Sequence, residues 1–174
     1  TGTLNPVILV DVGSQVSGKI EKIYVDFNSS VKQGDLLAEL DQSQIEAQIE
    51  QNQANYQSSV ASVERSKVAL EIAKKNYERA LSLYEKSLIA SQEKDTAEAS
   101  YLQAKADLVS AEARASQAKY QLDASNVNLG YTIIRSPIDG VVVSRNINVG
   151  QTVAASFQAP VLFQIANDLA KMQV

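Results

Sequence analysis

The chain has 174 residues, 45% of them hydrophobic and 21% charged, with a net charge of −4. Histidine and cysteine are absent, which removes the usual general base, a thiolate nucleophile and the commonest metal ligands. The charges are interspersed, so no basic patch points to nucleic acid, and no apolar run reaches the ~18 residues of a membrane span.

All seven glycines and all three prolines lie outside residues 35–129. A stretch that long without either breaker predicts long helices. The flanks hold the breakers and the β-branched runs "VILVDV", "YTIIR" and "GVVV", which read as short strands. The first flank contains "SGKIEKIYVDFNSSV", Ser17 to Val31. At its end "SQIE", Ser43 to Glu46, reads as a capping box that starts a helix.

That first helix is expected at about 43–86. Ile49, Tyr56, Val63, Leu70, Tyr77 and Tyr84 recur every seven residues, with Asn52, Ser59, Ser66, Ala73 and Ala80 between them. This is a heptad seam with large residues at one position and small or polar ones at the other. Carboxylates such as Glu46 and Glu50 read as a solvated face, and Glu71 with Lys75 as an ordinary helix pair. The join "EKSLIASQEKD" follows, where Ser91 is expected to cap the second helix with Glu93 and Asp95 in its first turn. The second helix is expected at about 92–127. Tyr101, Leu108, Ala115, Leu122 and Leu129 form its seam, with Ala104, Ala111, Ala118 and Ser125 between them. The short join predicts antiparallel neighbours, roughly 65 and 55 Å long. Tyr56, Tyr77, Tyr84 and Tyr101 are therefore read as packing residues.

The last flank restates the first. Gly18, Ile20, Val25, Asn28 and Val31 align with Gly140, Val142, Ile147, Gly150 and Val153. Asn28 and Gly150 both suit a turn with positive φ. Leu37 and Leu40 align with Leu162 and Ile165 after a three-residue insertion near Ser156–Gln158. Two matching half-sheets predict one small sandwich with pseudo-twofold symmetry, residues 13–41 plus 130–166. The helical hairpin, residues 42–129, is inserted at the joint between them. Neither half can bury its apolar face alone. The fold class is thus α+β.

These half-motifs, "SGKIEKIYVDFNSSVKQGDLLAELD" and "RSPIDGVVVSRNINVGQTV", resemble the split lipoyl-like domain of periplasmic adaptor proteins, also called membrane fusion proteins. The final stretch, "GQTVAASFQAPVLFQIANDLAKMQV", resembles the macrolide-exporter type that works with an ABC transporter. The resemblance implies that residues 1–12 and 167–174 belong to a β-barrel domain, and that the chain is a fragment of a longer protein. It implies a non-enzymatic subunit at the inner membrane's periplasmic side, six copies per ring, and an outer-membrane channel as partner. A true lipoyl carrier needs a lysine at the joint, which here reads "AELDQSQ", so no cofactor is implied. Alternatives are an adaptor for a proton-driven drug or metal pump or for type I secretion, or a coiled-coil scaffold without a transport role.

Two candidate sites follow from the resemblance. Adaptors of this family carry an Arg, a Leu and a Ser at the hairpin end that engage the channel. "RALSLYEKSLIAS" supplies Arg79 and Leu83 at the family's spacing. The family's Ser position falls on Ala90, and Ser91 is one residue late. Leu88 and Ile89 add apolar surface to that tip. The second site is Gln151, beside the turn at Gly150, which the resemblance makes a candidate gate lining the passage of the ring.

Overall fold

The computed structural model describes residues 5–6, 9–155, 160–167 and 172–173. The chain forms two compact units, residues 1–47 with 126–174, and residues 48–125.

In the first unit, β1 (Asn5–Pro6), β2 (Leu9–Gly13), β3 (Gly18–Ile23), β4 (Ser30–Val31) and β5 (Leu36–Leu40) precede the helices. After the helices come β6 (Ile133–Arg135), β7 (Gly140–Arg145), β8 (Thr152–Val153), β9 (Val161–Ala166) and β10 (Met172–Gln173). Two four-stranded sheets result, ordered β2-β9-β7-β4 and β6-β5-β3-β8. Exchanging each strand for its repeat mate converts one order into the other. The halves also trade their shortest strands. β4 from the first half pairs with β7 from the second, and β8 from the second pairs with β3 from the first.

The backbone repeats this symmetry bond by bond. The Ile20 N–H donates to the Gln151 carbonyl at 2.8 Å, and the Val142 N–H donates to the Ser29 carbonyl at 3.0 Å. Asn28 donates to Val142, and Gly150 to Ile20, both at 2.8 Å. The two turn residues have φ of 65° and 85°, as the aligned Asn and Gly require. Each half thus closes the other's sheet, so neither is complete alone.

The core is built from mates. Ile20 with Val142, Leu37 with Leu162, Val31 with Val153 and Leu40 with Ile165 are all buried, joined by Phe163. Each such side chain contributes about 1.5–3 kcal/mol through burial. Val12 and Ile134 are a further buried pair. This accounts for a difference from the sequence reading. Residues 9–12, expected in the barrel segment, pair antiparallel with β9 from Leu9↔Ala166 to Val12↔Phe163, so the sandwich begins at Leu9. β1 and β10 instead form their own two-stranded sheet, with Asn5 opposite Gln173 and Pro6 opposite Met172. The rest of 1–8 and 168–174, and the insertion near Ser156–Gln158, lie outside the described residues.

Helix α1 spans Ser43–Glu85 and α2 spans Ser91–Gly130. The seams fall where the heptads place them. Every seam position named above is buried or half-buried except Tyr84. Val63, Ala111, Ala118, Leu122 and Ser125 form the driest part. The helices run antiparallel. Asn52 Nδ2 donates to Ser125 Oγ at 2.7 Å, and the Tyr77 and Tyr101 rings stack with centroids 5.8 Å apart. The Asn52–Ser125 layer is polar and half-buried to buried, which fixes the register of one helix against the other. Glu71 and Lys75 pair at 2.6 Å, but both are solvated, so the pair adds little.

The start of α1 is capped differently from the expected box. Glu46 N–H bonds the Gln42 carbonyl, not the Ser43 hydroxyl. Asp41 does the capping: its Oδ1 accepts the Ser43 hydroxyl at 2.6 Å and the Ser43 N–H at 3.0 Å. These bonds, the hydroxyl first, hold the Asp41 carboxyl below its ordinary value of 3.8. A depressed carboxylate contributes stability above its unfolded value and loses it as pH falls through the folded one. The melting-temperature gap between the wild type and Asp41→Asn is therefore expected to shrink as pH is lowered from about 7 to about 3. A gap constant across that range would refute the capping role.

Candidate functional site

The join between α1 and α2 is a tight turn with a defined cap. The Leu88 N–H donates to the Leu83 carbonyl at 2.9 Å, and the Ser87 N–H to the Tyr84 carbonyl at 2.8 Å. This is a Schellman motif, with Ser87 in the left-handed position at φ 59°. Glycine ordinarily takes that position, and its absence left no signal for the cap in the sequence. Ser87→Gly is expected to relieve about 1 kcal/mol of backbone strain and to slow amide exchange at Leu88. Faster exchange at that amide would contradict the assignment.

The cap determines what the tip presents. Leu88 is 67% exposed, Leu83 and Ile89 are half-buried, and Ala90 and Ser91 are exposed. Leu83 and Leu88 are joined by the cap's own backbone bond. Arg79 stands one turn before Leu83 on the same face. It is exposed, and its Nη1 reaches Asn76 Oδ1 only at 3.5 Å. Its guanidinium is thus nearly unengaged by that contact. Ser91 is not the cap expected of it. It lies inside α2, where its hydroxyl donates to Asp95 Oδ2 at 3.2 Å, and the Ala90 carbonyl receives the Glu93 N–H. The position where the family's Ser falls is therefore the residue just before α2.

Sequence reasoning missed a polar cluster beside the tip. Lys94 Nζ lies 2.9 Å from Asp95 and 3.4 Å from Glu98, and 5.9 Å from the centre of the Tyr84 ring. The bond that Lys94 donates to Asp95 raises the Lys94 pKa and lowers that of Asp95. The cluster explains why Tyr84 stays partly exposed at the end of its seam: its ring face serves a cation. Only the i,i+4 spacing of Lys94 and Glu98 hinted at it.

Gln151 belongs to the other compact unit. It is exposed, and it closes the turn Asn148–Gln151. Its N–H donates to the Asn148 carbonyl at 3.1 Å, and its side-chain Oε1 accepts the Asn148 N–H at 3.0 Å. The mate turn is built alike: the Ser29 N–H donates to the Asp26 carbonyl, and Ser29 Oγ accepts the Asp26 N–H at 3.0 Å. Among the described residues, no group of three or more acidic side chains could hold a metal ion. No helix there is long and apolar enough to cross a membrane.

Comparison with known proteins matches these features to one group. Residues 9–164 match the family described as "RND MFP, barrel-sandwich hybrid domain". The macrolide export protein MacA of Yersinia pestis is 37% identical over 174 residues, which is 100% of this chain and 47% of that protein. The pyoverdine export membrane fusion protein PvdR of Pseudomonas aeruginosa is 32% identical over 165 residues, 95% of this chain and 42% of that protein. The crystal structure of MacA from Actinobacillus actinomycetemcomitans superposes with a TM-score of 0.92 at 38% identity, covering 98% of this chain and 52% of that one. The chain thus spans about half the length of the curated relatives it matches. With the split sandwich, the helical hairpin between its halves and the match over 9–164, the chain belongs to the membrane fusion protein family that carries this barrel-sandwich hybrid domain.

Proposed function

We propose that this chain is part of a periplasmic adaptor that links an inner-membrane ABC-type macrolide transporter to an outer-membrane channel, and that the hairpin tip makes the channel contact. The observation that carries the reading is the tip itself. An exposed leucine, Leu88, sits on a rigid cap with the nearly unengaged Arg79 one turn away from Leu83. Apolar surface at the end of a long hairpin has no use in closing the hairpin's own seam, and it suits a helical partner. The 37% identical macrolide export protein supports the transporter class. An adaptor for an RND-type pump is the second reading, favoured by the family's description.

The hairpin also supports assembly of copies into a ring, six by the family resemblance. Positions opposite the seam in a two-helix hairpin face water and are ordinarily polar. Here they are apolar or small at seven-residue intervals: Ala54, Ala61 and Val68 on α1, and Ala99, Ala106, Ala113 and Tyr120 on α2. Tyr120 is 72% exposed. The Asn52–Ser125 and Tyr77–Tyr101 layers set Ala61 at a height between Ala113 and Tyr120. Copies standing at equal height then place the α1 residues between successive α2 residues of this row, with Ala61 leaving room beside Tyr120, as knobs meet holes. Gln151 is the candidate gate within such a ring.

One experiment tests the docking role. A single cysteine at Ile89 in the full-length protein, carrying a photo-crosslinker, is expected to capture an outer-membrane channel subunit in intact cells. Capture of identical chains alone, from exported and folded protein, would favour a scaffold without a transport role.

A further inference from the structure

The pseudo-twofold symmetry shows where the two halves differ, and one difference centres on Arg145. Its mate by the alignment of Gly18 with Gly140 is Ile23, a half-buried residue packed against the core. An arginine thus stands where the fold asks only for an apolar side chain. Its guanidinium holds both symmetry-related turns. Nε donates to Asp26 Oδ1 at 3.0 Å in the first turn. Nη1 donates to Asn148 Oδ1 at 3.2 Å and to the Ile147 carbonyl in the second. Asp26 is held in turn by the Phe27 N–H, which donates to the same Oδ1 at 2.8 Å. The Arg145 side chain is 27% exposed and its bond to the Ile147 carbonyl is partly shielded from water, while the Asp26 side chain is solvated.

The second difference is the acceptor that closes each turn. In the first turn a serine hydroxyl, Ser29, suffices to accept the Asp26 N–H. In the second the longer Gln151 does the same work through Oε1. Because its partner is a backbone N–H, the oxygen must face the turn, and the amide NH2 must face away. Gln151 therefore keeps two donors that turn closure does not consume. The Gln151 backbone is held by Ile20, but its side-chain oxygen is held by Asn148, and Asn148 is held by Arg145.

We infer that Arg145 is the positioning residue for Gln151: it clamps the Asn148–Gln151 turn to Asp26 of the opposite half and so fixes the direction of the Gln151 amide. The inference rests on the reading of Gln151 as the gate. The clamp crosses from one half of the sandwich to the other and adds a side-chain tie at Asn148 to the backbone bonds that Ile20 makes with Gly150 and Gln151. The backbone bonds to Ile20 hold the Gly150–Gln151 side of the turn, and the clamp holds its Asn148 side.

The test uses the full-length protein in its assembled pump. Arg145→Met keeps the apolar stem and removes the fork; Arg145→Lys keeps stem and charge. Both are expected to speed amide exchange at Asn148 and Gln151 by about tenfold, the effect of losing about one hydrogen bond, with Val142 and Ile165 unchanged. Reverse leakage of substrate in Arg145→Met is expected to rise to the level of Gln151→Ala, and Arg145→Met/Gln151→Ala to leak no more than either single variant. Unchanged exchange at both turn amides in the Met and Lys variants would overturn the clamp, whatever the leakage. A loosened turn with leakage at the wild-type level, in a pump that Gln151→Ala makes leaky, would overturn the positioning role. If Gln151→Ala itself does not leak, the gate reading fails and the positioning role falls with it. The exchange data still decide the clamp.

Discussion

Gly140→Ala is expected to destabilise the sandwich by about 3 kcal/mol, whereas Gly18→Ala, at the symmetry-related position, should cost less than about 1 kcal/mol. A Cβ on Gly140 would lie inside contact distance of the Ala166 carbonyl oxygen, 2.9 Å from its carbon and 3.0 Å from Ile165 Cγ2. Those backbone atoms belong to β9 and are fixed by pairing with both β7 and β2. A Cβ on Gly18 meets Leu40 Cδ2 at 3.2 Å, the end of a side chain rather than backbone, which need give by only a few tenths of an ångström. Amide exchange at Val142 and Ile165 reads the sandwich, and far-UV circular dichroism, dominated by α1 and α2, reads the hairpin. The alanine at 140 should speed the first while sparing most of the second. Equal effects of the two substitutions would show that the clash is relieved by a backbone shift.

Arg79→Ala is expected to abolish efflux while leaving the melting curve and helix content unchanged. The residue is exposed, and its bond to Asn76 is at the limit of useful length, so its removal should cost the hairpin almost nothing. Alanine also favours helix at least as well as arginine. An arginine anchor at the centre of an interface is a different matter. Loss of its fork should weaken capture of the channel by at least about thirtyfold. Capture of detergent-solubilised channel by the full-length protein, measured alongside efflux, separates the two effects. Full efflux and full capture in the alanine variant would remove Arg79 from the docking site. Melting lowered by several degrees would assign it a structural role instead.

The parts of this fold that were legible in the sequence are those that repeat. Gly18 and Gly140, Ile20 and Val142, and Asn28 and Gly150 carry the same backbone demands at a constant offset, and the structure meets both sets with the same bonds. The heptads set the seam down to the Tyr77–Tyr101 stack because burial follows a period. Caps do not repeat. Whether Asp41 or Ser43 caps α1, and whether Ser91 caps α2 or lies inside it, turns on a single residue of backbone register, below what periodicity resolves. Ser87 was invisible because its left-handed backbone is imposed by the Schellman bonds rather than by residue type. The exchange of β4 and β8 between the halves is a long-range pairing that no local pattern encodes. At the tip, Arg79, Leu83 and Leu88 could be named from the resemblance, but which of them is exposed depended on the cap. Arg145 could have been found by asking why a charge stands where the first half has Ile23.

The exchange of short strands has a consequence in time. Ile20, Leu37 and Leu40 leave the ribosome more than 100 residues before Phe163 and Ile165. At about 5–20 residues per second the first half waits on the order of ten seconds for the surface that will cover it. The hairpin folds within that wait, since its contacts are local and helices form in about a microsecond. Once zipped, it replaces a floppy loop of some 90 residues with a stiff clasp whose two ends lie side by side, as the Leu40 N–H to Thr132 carbonyl bond of 2.9 Å records. The entropy of closing that loop is then already spent when the second half arrives. The hairpin thus serves the nascent chain as an internal assembly jig before it serves the finished protein.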